Sequence, residues 1–410
     1  MSTPEEPAYE IDLIEETSAL GAALEQAARA SAIALDVEAN GLFVYRPRLC
    51  AVQMAWEDGA TTRVVVIDTL KIDPTLLAPL LSAEGPVKVL HDLTFDARLL
   101  ADHGVLLGRA RDTSVAARLL GQTATGLSSV LTTELGISLD KRFQQNDWSR
   151  RPFAPAELRY LGNDVAYLLE LDRSLAAKAT SAEIEEEIHE ECAHRLRMAL
   201  APPKDVRPAY VRVKGAQKLD RLGRAVLRRL VMARETIAEA VDVPPFKVVS
   251  NEILLLLSTK RPKTIGDLSR IPGALSGRAG KHTALWLSAI TLGIEDGEIP
   301  EADRLLLDPV TMSRREITRR REVEVRVSGF RRAEAKRRGV DEQVVLPGHC
   351  AQEVATLLIA TKEGSAAEPA QIAAIAGLGE KRAKLYAVRL ATLLVDGGPA
   401  SLATTTNVEP

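Results

Sequence analysis

Two acidic residues close an apolar run in the segment IALDVEAN, at positions 33–40. Asp36 and Glu38 are two positions apart, so in a β-strand their side chains point to the same face and their carboxylates lie side by side. Two like charges at that spacing repel and raise each other's pKa. Two explanations fit the pattern: the strand ends at Asp36 and both acids lie in a hydrated loop, or a divalent cation lies between them.

Two further segments carry acids where strand ends or helix faces would gather them. In VKVLHDLTFDARLL, at 87–100, a strand gives way to a helix, so Asp92 is the expected N-cap and Asp96 lies one turn further along. In LRYLGNDVAYLLEL, at 158–171, Tyr160 and Asp164 are four residues apart and share one helix face. Surface exposure or packing would explain each segment alone. Their order along the chain favours a joint site.

The elements that must position these residues are strands first and helices later. Four runs have β character, and after residue 91 helical spacing takes over, including one long predicted helix over 155–179. A sheet that is covered by helices predicts an α/β layered domain of about 180 residues. The four β runs are SAIALDVEAN, RLCAVQMAWEDG, TTRVVVIDT and VKVLH.

The second half of the chain is predicted to be helical throughout. A Glu-rich helix over 181–200 gives way to APPKDVRP, whose prolines mark a boundary. Short amphipathic helices follow over 215–293, then an acidic linker IEDGEIPEAD, then a second helical block over about 310–395. The remaining residues, 396–410, are expected to form a frayed tail.

Composition indicates a globular protein in a reducing compartment. The 410 residues are 46% hydrophobic, and the three cysteines, Cys50, Cys192 and Cys350, are odd in number and lack the spacing of zinc ligands. The acidic N-terminus lacks a signal pattern, and no stretch of about 18 apolar residues could cross a bilayer. We therefore expect a cytoplasmic location, no membrane association and no obligate protein partner.

Charge is divided unevenly along the chain. Residues 1–203 carry 19 basic against 31 acidic side chains, residues 204–293 carry 17 against 7, and residues 294–395 carry 17 against 16. An acidic module joined to a basic one is typical of carboxylates that hold cations beside a surface that holds a polyanion. Simple solvation of the basic helices would explain the pattern equally well.

The ordered set of acids resembles the motifs of the DEDD superfamily of 3′–5′ exonucleases, and specifically the ribonuclease D family. The DVE of residues 36–38 is similar to the first exonuclease motif, HDLTFD at 91–96 to the second, and YLGND at 160–164 to the third in its tyrosine-bearing form. The segment LGISLDKRFQQNDWSRRPF, at 135–153, also resembles that family. Val37 stands where the family often has Thr, and it points away from the acid pair.

The resemblance implies a domain organisation. It implies an α/β ribonuclease H-like exonuclease domain over 1–203, followed by two all-α HRDC-like helical domains. The first, over 204–293, includes VPPFKVVSNEILLLLSTKRP and LSRIPG, and the second, a diverged copy over 310–395, ends in IAGLGEKRAKLYAVRL. The GLGEKR turn could be a nucleic-acid contact or only a tight helix–helix connection.

The resemblance also implies a mechanism. Asp36, Glu38, Asp96 and Asp164 would hold two divalent cations, Mg²⁺ or Mn²⁺, because carboxylate oxygens are the ligands these hard ions prefer. Tyr160 would orient the attacking water, since a phenol with a pKa near 10 is a poor base. The expected reaction releases nucleoside 5′-monophosphates from RNA with a free 3′ end, transfer RNA precursors and other small structured RNAs among them.

Residues outside the motifs are candidates for holding the RNA. Lys141, Arg150 and Arg151 are expected to contact phosphates, and Trp148 is expected either to stack on a base or to anchor a loop on the core. His91 is expected to orient the second motif rather than bind metal. A basic helical face in the first helical block would attract structured RNA; its members are Lys218, Arg221, Arg224, Arg228 and Arg229.

Two other functions remain open from the residues alone. The same acids would serve a 3′–5′ exonuclease that acts on DNA, because nothing in the sequence shows which sugar is read. A nucleic-acid-binding adaptor with a decayed nuclease site is the second alternative, although the presence of all four acids and the tyrosine counts against it.

Overall fold

The computed structural model describes residues 9–202, 206–308, 312–362 and 364–395. The predicted exonuclease module, residues 9–202, is built on one mixed six-stranded sheet with the order β1-β4-β3-β2-β5-β6. β2 pairs in the antiparallel direction with β3 and in the parallel direction with β5, so it lies near the centre of the sheet. The strands are β1 Glu10–Ile14, β2 Ala32–Ala39, β3 Leu49–Asp58, β4 Thr61–Asp68, β5 Val87–Leu90 and β6 Ala110–Asp112.

Helices cover both faces of this sheet. One apolar cluster joins Leu35 and Met54 to Leu100, and another joins Ala34 and Ala55 to helices on the opposite side. Successive residues of the central strands therefore face two cores, which is why β3 is an almost continuous apolar run. The helices are α1 Thr17–Ala27, α2 Ala78–Leu81, α3 Leu93–Asp102, α4 Thr113–Leu119, α5 Leu127–Leu135, α6 Pro155–Ala166, α7 Leu168–Ser181 and α8 Glu185–Leu200, with a 3₁₀ turn at Pro74–Leu77.

The predicted fold class is confirmed, with three differences in its elements. The four predicted strands correspond to β2, β3, β4 and β5, whereas β1 and β6 at the sheet edges were not predicted. The long helix expected over 155–179 is interrupted at Tyr167, whose backbone (φ −106°, ψ −1°) separates α6 from α7.

The first helical block has one core that runs from Tyr210 to Leu307. The acidic linker predicted over 294–303 is part of this block, because α13 continues to Asp296 and Ile299 is buried in the core. The block is formed by α9 Arg221–Ala240, α10 Pro245–Val248, α11 Asn251–Lys260, α12 Ile265–Leu268, α13 Thr283–Asp296 and α14 Glu301–Leu307, with 3₁₀ turns at Ala216–Lys218 and Ala279–His282.

The second helical block repeats the order of helix lengths found in the first. A long helix is followed by a one-turn helix, a helix of three turns or so, another short helix and a final long one, as in α9 to α13. Its helices are α15 Arg314–Arg338, α16 Glu342–Val345, α17 Gly348–Ala360, α18 Pro369–Ala373 and α19 Glu380–Ala391. The predicted tail over 396–410 lies outside the described residues.

Each helical block contacts the predicted exonuclease module separately. Tyr45 and Arg46, in the loop after β2, bond to Glu235 and Glu239 of α9. On the other side, α8 packs against the second block through an apolar cluster that joins Cys192 to Val344. No helix in the described ranges is long and apolar enough to cross a membrane.

Candidate active site

The acids of the first and third motifs meet above the central strand. Asp36 and Glu38 lie on β2, and Asp164 reaches them from α6, which packs across β2, β3 and β4. One carboxylate oxygen from each of the three residues lies within 4.8 Å of the others. The strand periodicity that places Asp36 and Glu38 on one face thus brings two carboxylates to the same point, and the helix supplies a third.

Asp96 lies beside this cluster, in the first turn of α3. Its side chain is buried, and its charge interacts with that of Asp36. Asp92 occupies the N-cap position of α3 as expected, but its side chain makes no capping bond, and its backbone is left-handed with φ 67°. Asp112 of β6 caps the helix instead, accepting from the N–H groups of Asp92 (3.0 Å) and Leu93 (3.2 Å).

Burial makes the cluster electrostatically unfavourable without counter-ions. Loss of water raises the pKa of Asp36 to about 7. Burial, followed by the charges of Asp36, Asp164 and Asp96, raises the pKa of Glu38 to about 10. Burial and the charge of Asp36 also raise the pKa values of Asp96 and Asp164. Carboxylates that are partly or fully withdrawn from water and repel one another in this way are suited to divalent cations, which would restore their charged forms.

Tyr160 adjoins the acids as a neutral phenol. Burial, with the charges of Asp164 and Glu38 next in size, raises the pKa of its hydroxyl above the ordinary value. Its ring stacks on Trp148 at 5.7 Å between centroids and meets Phe143 edge-on at the same distance. The hydroxyl is therefore a hydrogen-bond donor held in place by aromatic packing.

A base-stacking role for Trp148 is contradicted by its burial. The side chain is 2% exposed and packs between Phe153 and Tyr160, so no ring face is open to a base. The alternative expectation, a loop anchor on the core, fits this position. The Trp148 side chain also interacts with Glu38, which opposes the rise in the pKa of that carboxyl.

His91 bonds to two threonines on neighbouring elements rather than to the acid cluster. Its Nδ1 lies 2.8 Å from Thr113 Oγ1, and its Nε2 lies 2.8 Å from the carbonyl oxygen of Thr125. Burial lowers the pKa of the imidazole, which favours the neutral ring. His91 thus bonds to α4 and to the loop before α5, and its role in orienting the second motif stays a prediction.

Arg151 is a structural residue, and its predicted phosphate contact is wrong. Its guanidinium makes two bonds to the buried carboxylate of Asp68, at 2.6 and 2.7 Å, and donates to the carbonyl of Cys50. The N–H groups of Arg151 that would bind a phosphate already donate to these protein acceptors. Lys141 and Arg150 are both exposed, and Arg150 lies 3.6 Å from Asp147.

The basic face predicted on the first helical block is largely neutralised within that block. Arg224 bonds to Asp308 at 2.7 Å and is nearly buried, and Arg229 makes two bonds to Asp296, which Arg228 also approaches. Arg221 lies 3.6 Å from Glu298 but is largely exposed. Lys218 is exposed as well. Arg224 is therefore excluded as a phosphate contact, and the charges of Arg228 and Arg229 are shared with Asp296.

The sequence did not indicate a cleft that opens beside Glu38. Its volume is about 430 Å³, and Phe95 and Leu42 line it with side chains that are 60% and 46% exposed. Phe95 lies inside the second motif, directly before Asp96, where only its exposure distinguishes it from a core residue. An open apolar wall next to buried acids suits a nucleotide base next to its phosphate.

Comparisons with known proteins agree with this geometry. A family model described as 3′–5′ exonuclease matches residues 11–179, and one described as HRDC domain matches residues 223–290. A ribonuclease D of Acidiphilium cryptum is 30% identical over 71% of this chain and 75% of the relative. A ribonuclease D of Jannaschia sp. is 31% identical over 72% of this chain and 78% of the relative.

Solved structures show the same fold over nearly the whole chain. A protein from Bifidobacterium adolescentis superposes with a TM-score of 0.73 at 22% identity, over 93% of this chain and 96% of that one. Escherichia coli RNase D superposes with a TM-score of 0.66 at 21% identity, over 94% and 98%. The acid cluster, the fold and the curated relatives of this chain together place it in the ribonuclease D family of 3′–5′ exoribonucleases.

Proposed function

We propose that this exoribonuclease is metal-dependent and trims structured RNAs, transfer RNA precursors among them, releasing nucleoside 5′-monophosphates. Asp36, Glu38, Asp96 and Asp164 would hold two divalent cations, Mg²⁺ or Mn²⁺. The observation that carries the proposal is the convergence of carboxylate oxygens from Asp36, Glu38 and Asp164 within 4.8 Å. Bound cations would neutralise the terminal phosphodiester and lower the pKa of an attacking water.

The side chains around the acids have complementary tasks. Tyr160, whose raised pKa keeps its hydroxyl protonated, would donate a hydrogen bond that orients the water rather than remove its proton. The exposed ring of Phe95 would pack against the terminal nucleotide in the cleft. Lys141 and Arg150, which remain exposed, would contact phosphates upstream.

The helical blocks support a structured RNA as substrate. Escherichia coli RNase D, whose fold extends over both blocks, is an exoribonuclease involved in structured RNA processing. The helix order of the second block supports its assignment as a diverged second HRDC domain, and exposed Lys218 and Arg221 would still attract phosphate. Three free, buried cysteines support a cytoplasmic location.

A product assay tests the proposal. RNA labelled at its 5′ end and carrying a 3′ overhang is incubated with wild type, Asp36→Asn and Asp58→Asn, in Mg²⁺, in Mn²⁺ and in a chelator, beside DNA of the same sequence. We expect stepwise shortening of RNA by wild type and by Asp58→Asn, which changes an exposed acid on the β3–β4 turn. Asp36→Asn and the chelator should each abolish the shortening.

Three results would count against the proposal. Preference for DNA would show that RNA is not the main substrate. Activity in the chelator would show that the reaction needs no divalent cation, and full activity of Asp36→Asn would show that the acid cluster is not the catalytic site. Circular dichroism of Asp36→Asn should match that of wild type, so that lost activity reports the site rather than the fold.

A further inference from the structure

Helix α15 is the most basic element in the described structure. Over Arg314–Arg338 it carries eleven basic and four acidic residues, although the second helical block as a whole is close to neutral. Some of its cations have partners within the protein: Arg320 pairs with Glu324, and Arg338 pairs with Glu187 of α8. Other cations of the helix face solvent.

Four exposed cations of α15 lie along one stripe. Val323, Val327, Phe330 and Glu334 are buried and mark the face of the helix that packs on the block's core. With about 3.6 residues per turn, the opposite face carries four exposed basic residues and no carboxylate. These residues, called the α15 stripe below, are Arg314, Arg321, Arg332 and Lys336.

The stripe is both long and free of neutralising partners. Its ends are 22 residues apart, which corresponds to about 33 Å along a helix. Within the part of the chain that the structure describes, no carboxylate lies within 4 Å of any of the four side chains. The exposed valine between them, Val325, is 65% accessible, so nothing packs over the stripe.

The exonuclease module repels a polyanion, and several cations of the first helical block are already paired. The exonuclease module has a net charge of −12. In the first helical block, Arg224, Arg228 and Arg229 are bound to Asp308 and Asp296. An RNA whose 3′ end enters the acidic module needs attraction from cations elsewhere, since long-range attraction depends on uncompensated charge, and the α15 stripe adds four exposed cations to exposed Lys218 and Arg221 of the first block.

We propose that the α15 stripe binds the phosphate backbone of the double-helical part of the RNA substrate, away from the 3′ end that is cleaved. This inference rests on the proposed function for the identity of its partner. Four cations spaced over about 33 Å match the extended, regular charge of an RNA helix better than the compact charge of a single anion. The contact would hold the RNA without reading its sequence, because phosphates are alike.

The test compares two fourfold variants with equal changes in net charge. The first replaces the α15 stripe: Arg314→Gln, Arg321→Gln, Arg332→Gln and Lys336→Gln. The matched control replaces four exposed cations of the first block: Lys260→Gln, Lys263→Gln, Arg278→Gln and Lys281→Gln. Binding of a 12-base-pair hairpin RNA with a 3′ overhang is measured by anisotropy over a series of salt concentrations, with Asp36→Asn added to every protein to prevent cleavage.

We expect the stripe variant to bind the hairpin at least 10-fold more weakly at low salt, and the control to bind it within threefold of the parent. The slope of log affinity against log salt should fall by about 0.9 for each lost phosphate contact, up to about 3 to 4 in total. With Asp36 restored, cleavage of a five-nucleotide RNA should be unchanged, since such a substrate has no double-helical part for the stripe to bind.

Equal losses in the two variants, or an unchanged salt slope in the stripe variant, would overturn the inference. A loss on the five-nucleotide RNA as large as that on the hairpin would also overturn it. Thermal unfolding of both variants establishes that they fold. Because binding is measured with an inactive protein, this experiment can fail while the proposed function holds, and it can succeed when no product is formed.

Discussion

At the scale of single residues, the site combines acids that need cations with a phenol that is held by packing. Tyr160 lies on Trp148 on one side and against Phe143 on the other, so its ring has little freedom. The catalytic contribution of the residue is therefore expected to reside in its hydroxyl alone. A substitution that removes the hydroxyl oxygen and keeps the ring therefore tests the catalytic role of Tyr160 without changing its packing.

Tyr160→Phe should lower kcat on a short RNA by about 10²-fold or more, because the attacking water loses the donor that orients it. The aromatic stack should persist, so the thermal midpoint should stay close to that of wild type. Steady-state kinetics at saturating Mg²⁺ provide the measurement, and Tyr210→Phe, in the first helical block, is the control. A KM that rises while kcat stays constant would instead assign Tyr160 to substrate binding.

Residue types and spacing predicted which side chains would meet, but their environments depended on the fold. Asp36 and Glu38 follow from strand periodicity, and Tyr160 and Asp164 follow from helix periodicity. Arg151 and Trp148 lie in an irregular segment, where no period says which side chains face inward. Only the tertiary partners, Asp68 for Arg151 and Phe153 for Trp148, reveal that both are internal.

At the scale of elements, close contact between helices defines the first helical block. A Cβ added at Gly293 of α13 would lie 2.4 Å from Val226 Cα of α9, a backbone atom that cannot move aside. Glycine at this position lets the two helices approach. By contrast, a Cβ at Gly329 of α15 would meet no atom within 4 Å.

Gly293→Ala should therefore destabilise the first block by about 1 to 3 kcal/mol through overpacking. Gly329→Ala is the matched control, and it should stabilise α15 by up to about 1 kcal/mol, because alanine has the higher helix propensity. Hydrogen exchange of α9 and α13 gives the measurement. Slower exchange in Gly293→Ala would contradict the close contact.

The contact between α15 and α19 depends on pH. Arg337 and Arg389 bond to the buried carboxylate of Glu334, and they lower its pKa to about 2. The Glu334 carboxyl therefore binds a proton less readily in the folded state than in the unfolded chain. Its ion pairs stabilise the fold fully above about pH 4.5, and this stabilisation is lost as pH falls towards 2.

The expected contribution is at most about 3 kcal/mol. Unfolding in urea at pH 6 and pH 3 should show a larger pH-dependent loss for wild type than for Glu334→Gln. Glu353→Gln, which changes an exposed acid in the same block, should behave like wild type. Identical pH profiles for Glu334→Gln and wild type would contradict the prediction.

The strands illustrate how far element prediction from the sequence can reach. β2 to β5 have strong apolar or alternating patterns, so they were predicted. β1 and β6 have five and three residues, and they become strands by pairing in parallel with β4 and β5. Non-local pairing of this kind leaves little local pattern in the sequence. The break between α6 and α7 at Tyr167 has no sequence signal either, because no proline or glycine marks it.

At the scale of the whole molecule, one buried carboxylate joins the exonuclease module to the second helical block. Glu187 of α8 is 1% exposed and binds Lys381 at 2.9 Å and Arg338 at 3.2 Å. The GLGEKR turn is thus part of this interface: Gly377 packs against His194 and His349, whose rings stack at 3.8 Å. Of its two predicted roles, a tight structural connection fits this position.

Glu187→Gln should loosen the second block, because it leaves two cations in a buried interface without their counter-charge, at a cost of about 3 to 5 kcal/mol. Hydrogen exchange in α8 and α19 should accelerate. The neighbouring exposed acid offers the control Glu186→Gln, which should leave exchange unchanged. If both variants exchange alike, Glu187 does not hold the two modules together.

The contact between Trp148 and the acid cluster has an optical consequence. Trp148 interacts with Glu38 and stacks on Tyr160, whereas Trp56 and Trp286, the other tryptophans of the chain, lie in separate apolar cores. Its fluorescence should therefore respond when the charge on Glu38 changes, while the emission of the other two indoles forms a constant background. The protein carries its own reporter of cation occupancy, readable without a label and without substrate.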